Sequence, residues 1–331
     1  MRTKPFALIS DLVLVALVVI GAIYLFLTGF YATGATTDRP ILPLSVDGSR
    51  ILLVLAFGGI VLGIVFAGIR RGRGAVVDGQ VVRYSLYDRL VHWGIALGFV
   101  IDFVTAVWLL RWFGLESTVD NRQTLYLFHY VGAGLITVAA TMFATSSRVR
   151  GQDAIFPRWR DLSPAIARLF GYLGVYGESG VLGLRLPKSW QGPLQATLAD
   201  LGIKPAQREG KFLAVEKVFS FTPLAILALV VIATGLLKSA HYFFTIPQPV
   251  MYWTTWLHDL AAWGTLVIVG LHLAAIFLVP RNWAGIRSMI FGTMPLRAVE
   301  HEFPAWADEI RQREPRQAPA QGVPVHGSVG D

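Results

Sequence analysis

The sequence predicts an all-α integral membrane protein: a four-helix transmembrane bundle preceded by two extra N-terminal transmembrane helices. Three observations carry this prediction. The 331 residues are 54% hydrophobic and 15% charged, whereas soluble domains run at about a quarter charged. Apolar runs long enough to cross a hydrocarbon core occur at roughly 8–30, 51–69, 88–112, 123–145, 218–237 and 253–279. The connections between these six runs alternate between basic and non-basic.

That alternation accounts for the net charge of +8. The connection 146–216 holds ten Lys/Arg against six Asp/Glu, and 70–87 holds Arg70, Arg71, Arg73 and Arg83 against Asp78. By contrast, 31–49 has Arg39 against Asp38 and Asp47, 113–121 has Glu116 and Asp120, and 239–252 has no charge. Six spans with both termini in the cytoplasm require this pattern, in a multi-pass protein of the cell's inner (cytoplasmic) membrane. The charge is topological, so nucleic-acid binding is excluded and membrane lipid is the surrounding partner. The first span is too long for a signal-peptide core, is interrupted by Asp11 and lacks an A-x-A site. It is expected to be a retained helix.

Residues 1–82 therefore comprise two N-terminal helices and a basic linker, RRGRGAVVDGQVVR, ending at Arg83. Residues 83–310 form the four-helix bundle, with 146–216 as its cytoplasmic connection. Within that connection, DLSPAIARLFGYLG (161–174) predicts a short amphipathic helix with Ile166, Leu169, Phe170 and Leu173 on one face, suited to the membrane interface. The stretch 175–210 is punctuated by Gly and Pro and is expected to be irregular. The tail 311–331 is rich in Pro, Gln and Gly and is expected to be disordered.

Chemistry enters through histidine. With no cysteine in the chain, thiolate-held clusters and covalently attached haem are excluded. His92, His129, His258 and His272 lie inside the last four apolar runs, where ionisable groups are costly. His258 and His272 are fourteen residues apart, roughly 21 Å along a helix and about 40° short of four full turns. They leave one face of one helix at opposite depths. The direction of each span then pairs His129 with His258 near the outer face, and His92 with His272 near the inner face. Two stacked bis-histidine pairs in a four-helix bundle are the arrangement that two b-type haems need. Gly94, Gly98, Gly132, Gly134, Gly264 and Gly270 flank the histidines and are expected to leave room for the macrocycles. Arg89, Arg111, Arg122 and Lys238 lie at helix ends, where they could meet propionates. Asp102 falls near mid-membrane, as a bundle-facing carboxyl or a proton-path group. His241, His301 and His326 read as interfacial or solvated groups, and Trp108, Trp112, Trp253 and Trp256 as an outer aromatic belt.

The segment RYSLYDRLVHW (83–93) resembles the entry to the first helix of the dihaem cytochrome b gamma subunit of membrane-bound formate dehydrogenase, of the formate dehydrogenase/Ni-hydrogenase-type b cytochrome family. The fourteen-residue histidine spacing of the last helix, the early histidine of the second core helix and the ending NWAGIRSMIFGTMPLRAVEHEFPAWADEI (282–310) are similar to that family too. The resemblance covers about 83–310. It implies a membrane-anchor electron-transfer subunit of a respiratory oxidoreductase complex, not itself catalytic on the primary substrate. An iron–sulfur subunit and a molybdopterin (molybdenum or tungsten) catalytic subunit would be its partners. Electrons would pass to the outer haem (His129, His258), then to the inner haem (His92, His272), and on to menaquinone or ubiquinone at the cytoplasmic face.

The family's quinone segment reads like K-Y-N-A-G-Q-K, whereas this chain has KFLAVEK at 211–217. The amide and the glycine are replaced by Leu213 and Val215, leaving Glu216 and Lys217 as the quinone-site candidates. Two other readings compete. One keeps the haems but makes the partner a Ni-Fe hydrogenase or another molybdopterin oxidoreductase. The other is a haem-free membrane anchor whose histidines only bond helices together.

Overall fold

The computed structural model describes residues 42–69, 75–115, 118–149, 156–176, 180–206, 208–241 and 245–313. The expected first span at 8–30, the arginines of 70–74 and the tail beyond Arg313 lie outside the described residues.

Among the described residues, four helices are long and apolar enough to cross a membrane. They are α2 (Leu86–Leu109), α3 (Val119–Val149), α6 (Thr222–Ala240, entered through the π-helical turn Glu216–Phe221) and α7 (Gln248–Leu278). Each overlaps one of the last four apolar runs, and boundaries differ where polar chemistry rather than apolarity sets them. Helix α2 begins at Leu86 because Ser85 and Asp88 form a reciprocal capping box: the Asp88 amide donates to Ser85 Oγ at 3.3 Å and the Ser85 amide to Asp88 Oδ2 at 2.9 Å. Helix α7 starts five residues before its apolar run, just after Pro247, with Pro249 in its first turn, where a missing N–H costs nothing.

The bundle consists of two hairpins. Helix α2 packs along α3, and α6 along α7. At Gly98 and Gly132 the first pair meets backbone to backbone: a Cβ on Gly98 would stand 2.7 Å from the Gly132 carbonyl oxygen. The helix α1 (Leu42–Ile69) lies along the flank of α3. Its Gly59 and Gly63 are the contact points, since added Cβ atoms would come within 2.7 Å of the Val138 oxygen and 2.8 Å of the Met142 oxygen. This is small-xxx-small packing, which lets helices approach where no hydrophobic force drives them together. The second predicted span, 51–69, falls within α1.

At the basic end of the bundle the purely helical expectation needs correction. A small antiparallel sheet forms from β1 (Val76–Val77), β2 (Gln80–Val82) and β3 (Thr293–Pro295), with Val81 opposite Met294. The Asp78–Gly79 turn has positive φ at both residues, 50° and 71°, as a two-residue hairpin demands. The flanking pattern V-V-D-G-Q-V-V is the sequence signal for it. Helices α8 (Trp283–Phe291), α9 (Leu296–Glu302) and α10 (Pro304–Arg313) close over this sheet. Their core of Val81, Leu213, Met294, Val299, Phe303, Trp306 and Ile310 is fully buried. Arg83 is buried inside it, stacked 4.3 Å over the Phe303 ring and donating to the Lys211 carbonyl at 3.1 Å. Residues 311–313, assigned to the tail, belong to α10.

The connection differs too. The predicted 161–174 helix is present as α4 (Leu162–Tyr172). Ala165, Ala167 and Gly171 are its buried side, whereas Leu162, Leu169 and Leu173 form an exposed apolar stripe. The stretch 175–210, expected to be irregular, contains α5 (Lys188–Asp200) despite Pro193. Pro193 lies past the first turn and removes one helical hydrogen bond, and side chains tether the helix: Gln191 Nε2 donates to the Leu186 carbonyl and Gln195 Nε2 to the Val175 carbonyl, at 2.6 and 2.7 Å.

Glu302 ties this module to the bundle. Its carboxylate accepts from Arg168 on α4 at 2.6 Å and from Arg281 beyond α7 at 2.8 Å. Burial alone would raise the Glu302 carboxyl, but the hydrogen bonds from the two arginines outweigh it and hold it below its ordinary range. A depressed carboxyl contributes stability above its unfolded value and loses it as pH falls through the folded one. Replacing Glu302 with alanine should cost the module about 3 kcal/mol, because two buried guanidinium groups lose their counterion. Hydrogen exchange should then speed up in α4 and α9 and not in α2 or α3.

Candidate functional site

His92 lies in the second turn of α2, His129 near the start of the apolar part of α3, and His258 and His272 on α7. His92 is within electrostatic reach of His272, and His129 of His258. One pair therefore sits at the basic end and the other towards the opposite end, with α7 common to both.

Three of the four imidazoles are held at Nδ1 by hydroxyls. Thr105 Oγ1 stands 3.0 Å from His129 Nδ1, Thr234 Oγ1 2.9 Å from His258 Nδ1, and Ser220 Oγ 3.3 Å from His272 Nδ1. The fourth, His92, packs edge-on against Trp93, with ring centroids 5.3 Å apart. Engagement at Nδ1 leaves Nε2 as the ligating nitrogen. Among the described residues no group of three or more His, Cys, Asp or Glu gathers as a bare metal ion would need. Imidazoles in twos suit an iron that brings four equatorial nitrogens of its own, and haem fits this donor set.

The glycines divide differently from expectation. Gly98 and Gly132 serve the α2–α3 contact, Gly94 faces Ala139, Gly134 faces Leu55 of α1, and Gly264 faces Leu227 of α6. Their role is helix packing rather than room for a macrocycle; only Gly270 of the six has open space beside it. The glycine against a histidine is Gly235, where a Cβ would stand 3.4 Å from His258 Cε1. Sequence reasoning passed over it, since it lies on α6, which carries no buried histidine. Its register one residue after Thr234 was the available signal.

Among the polar candidates, Arg89 Nη1 donates to the Ile290 carbonyl at 2.6 Å, which ties α2 to the end of α8. Glu216 accepts from the Leu213 amide at 3.0 Å and lies 3.8 Å from Arg83. Lys217 Nζ lies 3.7 Å from Asp161. Both belong to the π-helical turn that also carries Ser220, so KFLAVEK adjoins the His92/His272 end. Asp102 faces into the bundle: it packs against Gly132, and its Oδ1 lies 3.7 Å from His129 Nδ1. His301 is exposed beside Glu302, and Trp253 and Trp256 stack edge to face at 5.8 Å on the outside of α7.

Paired imidazoles between two apolar helix hairpins define a membrane haem protein. A family model for prokaryotic cytochrome b561 matches residues 83–292, and the chain belongs to that family. No curated protein and no solved structure matches. The matched segment contains all four membrane histidines and leaves out α1, α9 and α10. The protein is thus a multi-pass cytochrome b that binds haem b and serves transmembrane electron transfer.

A branched side chain at position 235 should crowd His258. Gly235→Ile is expected to lower haem occupancy by about tenfold, within the range that supporting residues command. Absorbance of the purified variant per mole of protein checks this.

Proposed function

We propose that this chain is the dihaem membrane-anchor subunit of a respiratory oxidoreductase, linking a formate dehydrogenase-type catalytic module to the quinone pool. The observation that carries the reading is the two-level pairing of imidazoles along α7. His129 and His258 would hold one haem b, and His92 and His272 a second. When bound, each haem supplies a one-electron carrier in a low-dielectric setting. The chain supplies position: fourteen residues of α7 separate the ligands by roughly 21 Å along the axis, which spaces two carriers across the membrane.

Orientation follows from charge. The basic end, with the sheet, Arg83 and the KFLAVEK segment, faces the cytoplasm of a cell whose inner membrane the bundle spans. The His129/His258 pair then lies near the outer face, where an iron–sulfur subunit and its molybdenum or tungsten partner deliver electrons. The quinone site lies by the His92/His272 pair, with Glu216 and Lys217 as the side chains that would meet the quinone oxygens. In the structure Glu216 is tied to the Leu213 amide and lies beside Arg83, and Lys217 lies beside Asp161, so a quinone would have to compete with these contacts. Both chain termini are cytoplasmic in this arrangement, and α1, packed on α3, shields the bundle flank from lipid.

His258→Ala should remove the outer haem and leave the inner pair assembled. The b-type α band would fall by about half, and loss of both haems or of neither contradicts the pairing. Purification under mild detergent is expected to retain a molybdopterin subunit. A Ni-Fe hydrogenase in its place would move the chain to the second partner class.

A further inference from the structure

We propose that Thr105 and Thr234 are matched positioning residues: their hydroxyls hold His129 and His258 in the tautomer that ligates iron and set the reduction potential of the haem between them. The inference rests on the reading of these two histidines as a haem pair.

The chemistry is decided by where each hydroxyl proton goes. Thr105 Oγ1 lies 2.8 Å from the Ile101 carbonyl oxygen and 3.0 Å from that of Asp102. Thr234 Oγ1 lies 2.6 Å from the Val230 oxygen and 3.2 Å from that of Val231. A carbonyl only accepts, and a hydroxyl has one proton, so that proton is committed to the helix behind it. The oxygen is left as an acceptor towards the ring. His129 Nδ1 at 3.0 Å and His258 Nδ1 at 2.9 Å must then donate. A neutral imidazole with its proton on Nδ1 has its lone pair on Nε2. Asp102 Oδ1, a second acceptor 3.7 Å from His129 Nδ1, favours the same tautomer. Thr105 and Thr234 are both buried, so water does not replace them in this role.

The two contacts are copies of each other. Each joins a threonine on the first helix of a hairpin to a histidine on the second, 24 residues later. The register extends beyond the pair. Thirteen residues before Thr105 is His92, and thirteen before Thr234 is Phe221. Fourteen residues after His258 is His272, and fourteen after His129 is Phe143. Phe143 and Phe221 touch, with ring centroids 5.4 Å apart. The two hairpins therefore place these residues at matching spacings on either side of the His129/His258 site. At the basic end one pair of equivalent positions carries two imidazoles and the other carries two phenyl rings. The threonine support belongs to the site that takes one histidine from each hairpin.

An acceptor on Nδ1–H makes the imidazole a stronger donor to iron and favours the oxidised state. Removing it should raise the potential of the His129/His258 haem. The test uses Thr105→Val and Thr234→Val, which keep shape and lose the hydroxyl, and Thr105→Ser and Thr234→Ser, which keep the hydroxyl. Each valine variant should shift the reduction equilibrium of that haem about tenfold towards the reduced form, about 59 mV for one electron. Its low-temperature EPR signal should change with it, while the His92/His272 haem stays put and the serine variants behave as wild type. If a valine variant assembles no haem, restoration by serine supports the proposal and failure of serine overturns it. An unmoved potential in the valine variants overturns it as well. If His258→Ala keeps both haems, the haem-pair reading itself falls; if it loses one haem while the valine variants remain unmoved, only the positioning role falls.

Discussion

Every other feature of the bundle depends on the cost of placing an imidazole in hydrocarbon. A ring there needs both nitrogens engaged, and α7 places two such rings on one face, fourteen residues apart. One helix cannot engage both nitrogens of both rings. His258 takes its Nδ1 partner from α6 and its opposing imidazole from α3, whereas His272 meets Ser220 in the π-helical turn and His92 on α2. The hairpin arrangement follows, because α2 and α3 must reach α7 at two depths while α6 stands beside it.

The π-helical turn at Glu216–Phe221 shows how local geometry serves that demand. An extra residue in the turn changes which side chains face α7, and it brings Ser220 to His272 and Phe221 to Phe143. Just before it, Leu213 and Val215 are buried in the module that covers the basic end. The same short segment thus joins the bundle to the sheet and to α9 and α10. Arg83, sealed under Phe303, fixes the other entry, into α2.

Much of this was legible in the sequence. The four core spans and the helix at 162–172 follow from period and charge. Helix ends were less legible, because capping at Ser85 and the proline start of α7 act at single residues outside the apolar runs. The glycines misled for a physical reason: in a membrane the closest helix contacts use them, so Gly98 and Gly132 draw α2 to α3 instead of clearing a cavity. The sheet was signalled by Asp78–Gly79, but its third strand comes from beyond α7, more than two hundred residues later. The threonine supports were invisible because a threonine in an apolar helix reads as one more helix residue until its neighbour is known. The equal spacing of Thr105 to His129 and Thr234 to His258 has meaning only once both contacts are seen.

The central claim is that both imidazole pairs hold haem. The most direct measurement is the ratio of haem b to polypeptide in the purified full chain, determined by extraction of the haem and quantitative amino-acid analysis. Two pairs predict two haems for each chain. A ratio of one would leave one pair of imidazoles as helix-bonding groups, and a ratio of zero would contradict the account altogether.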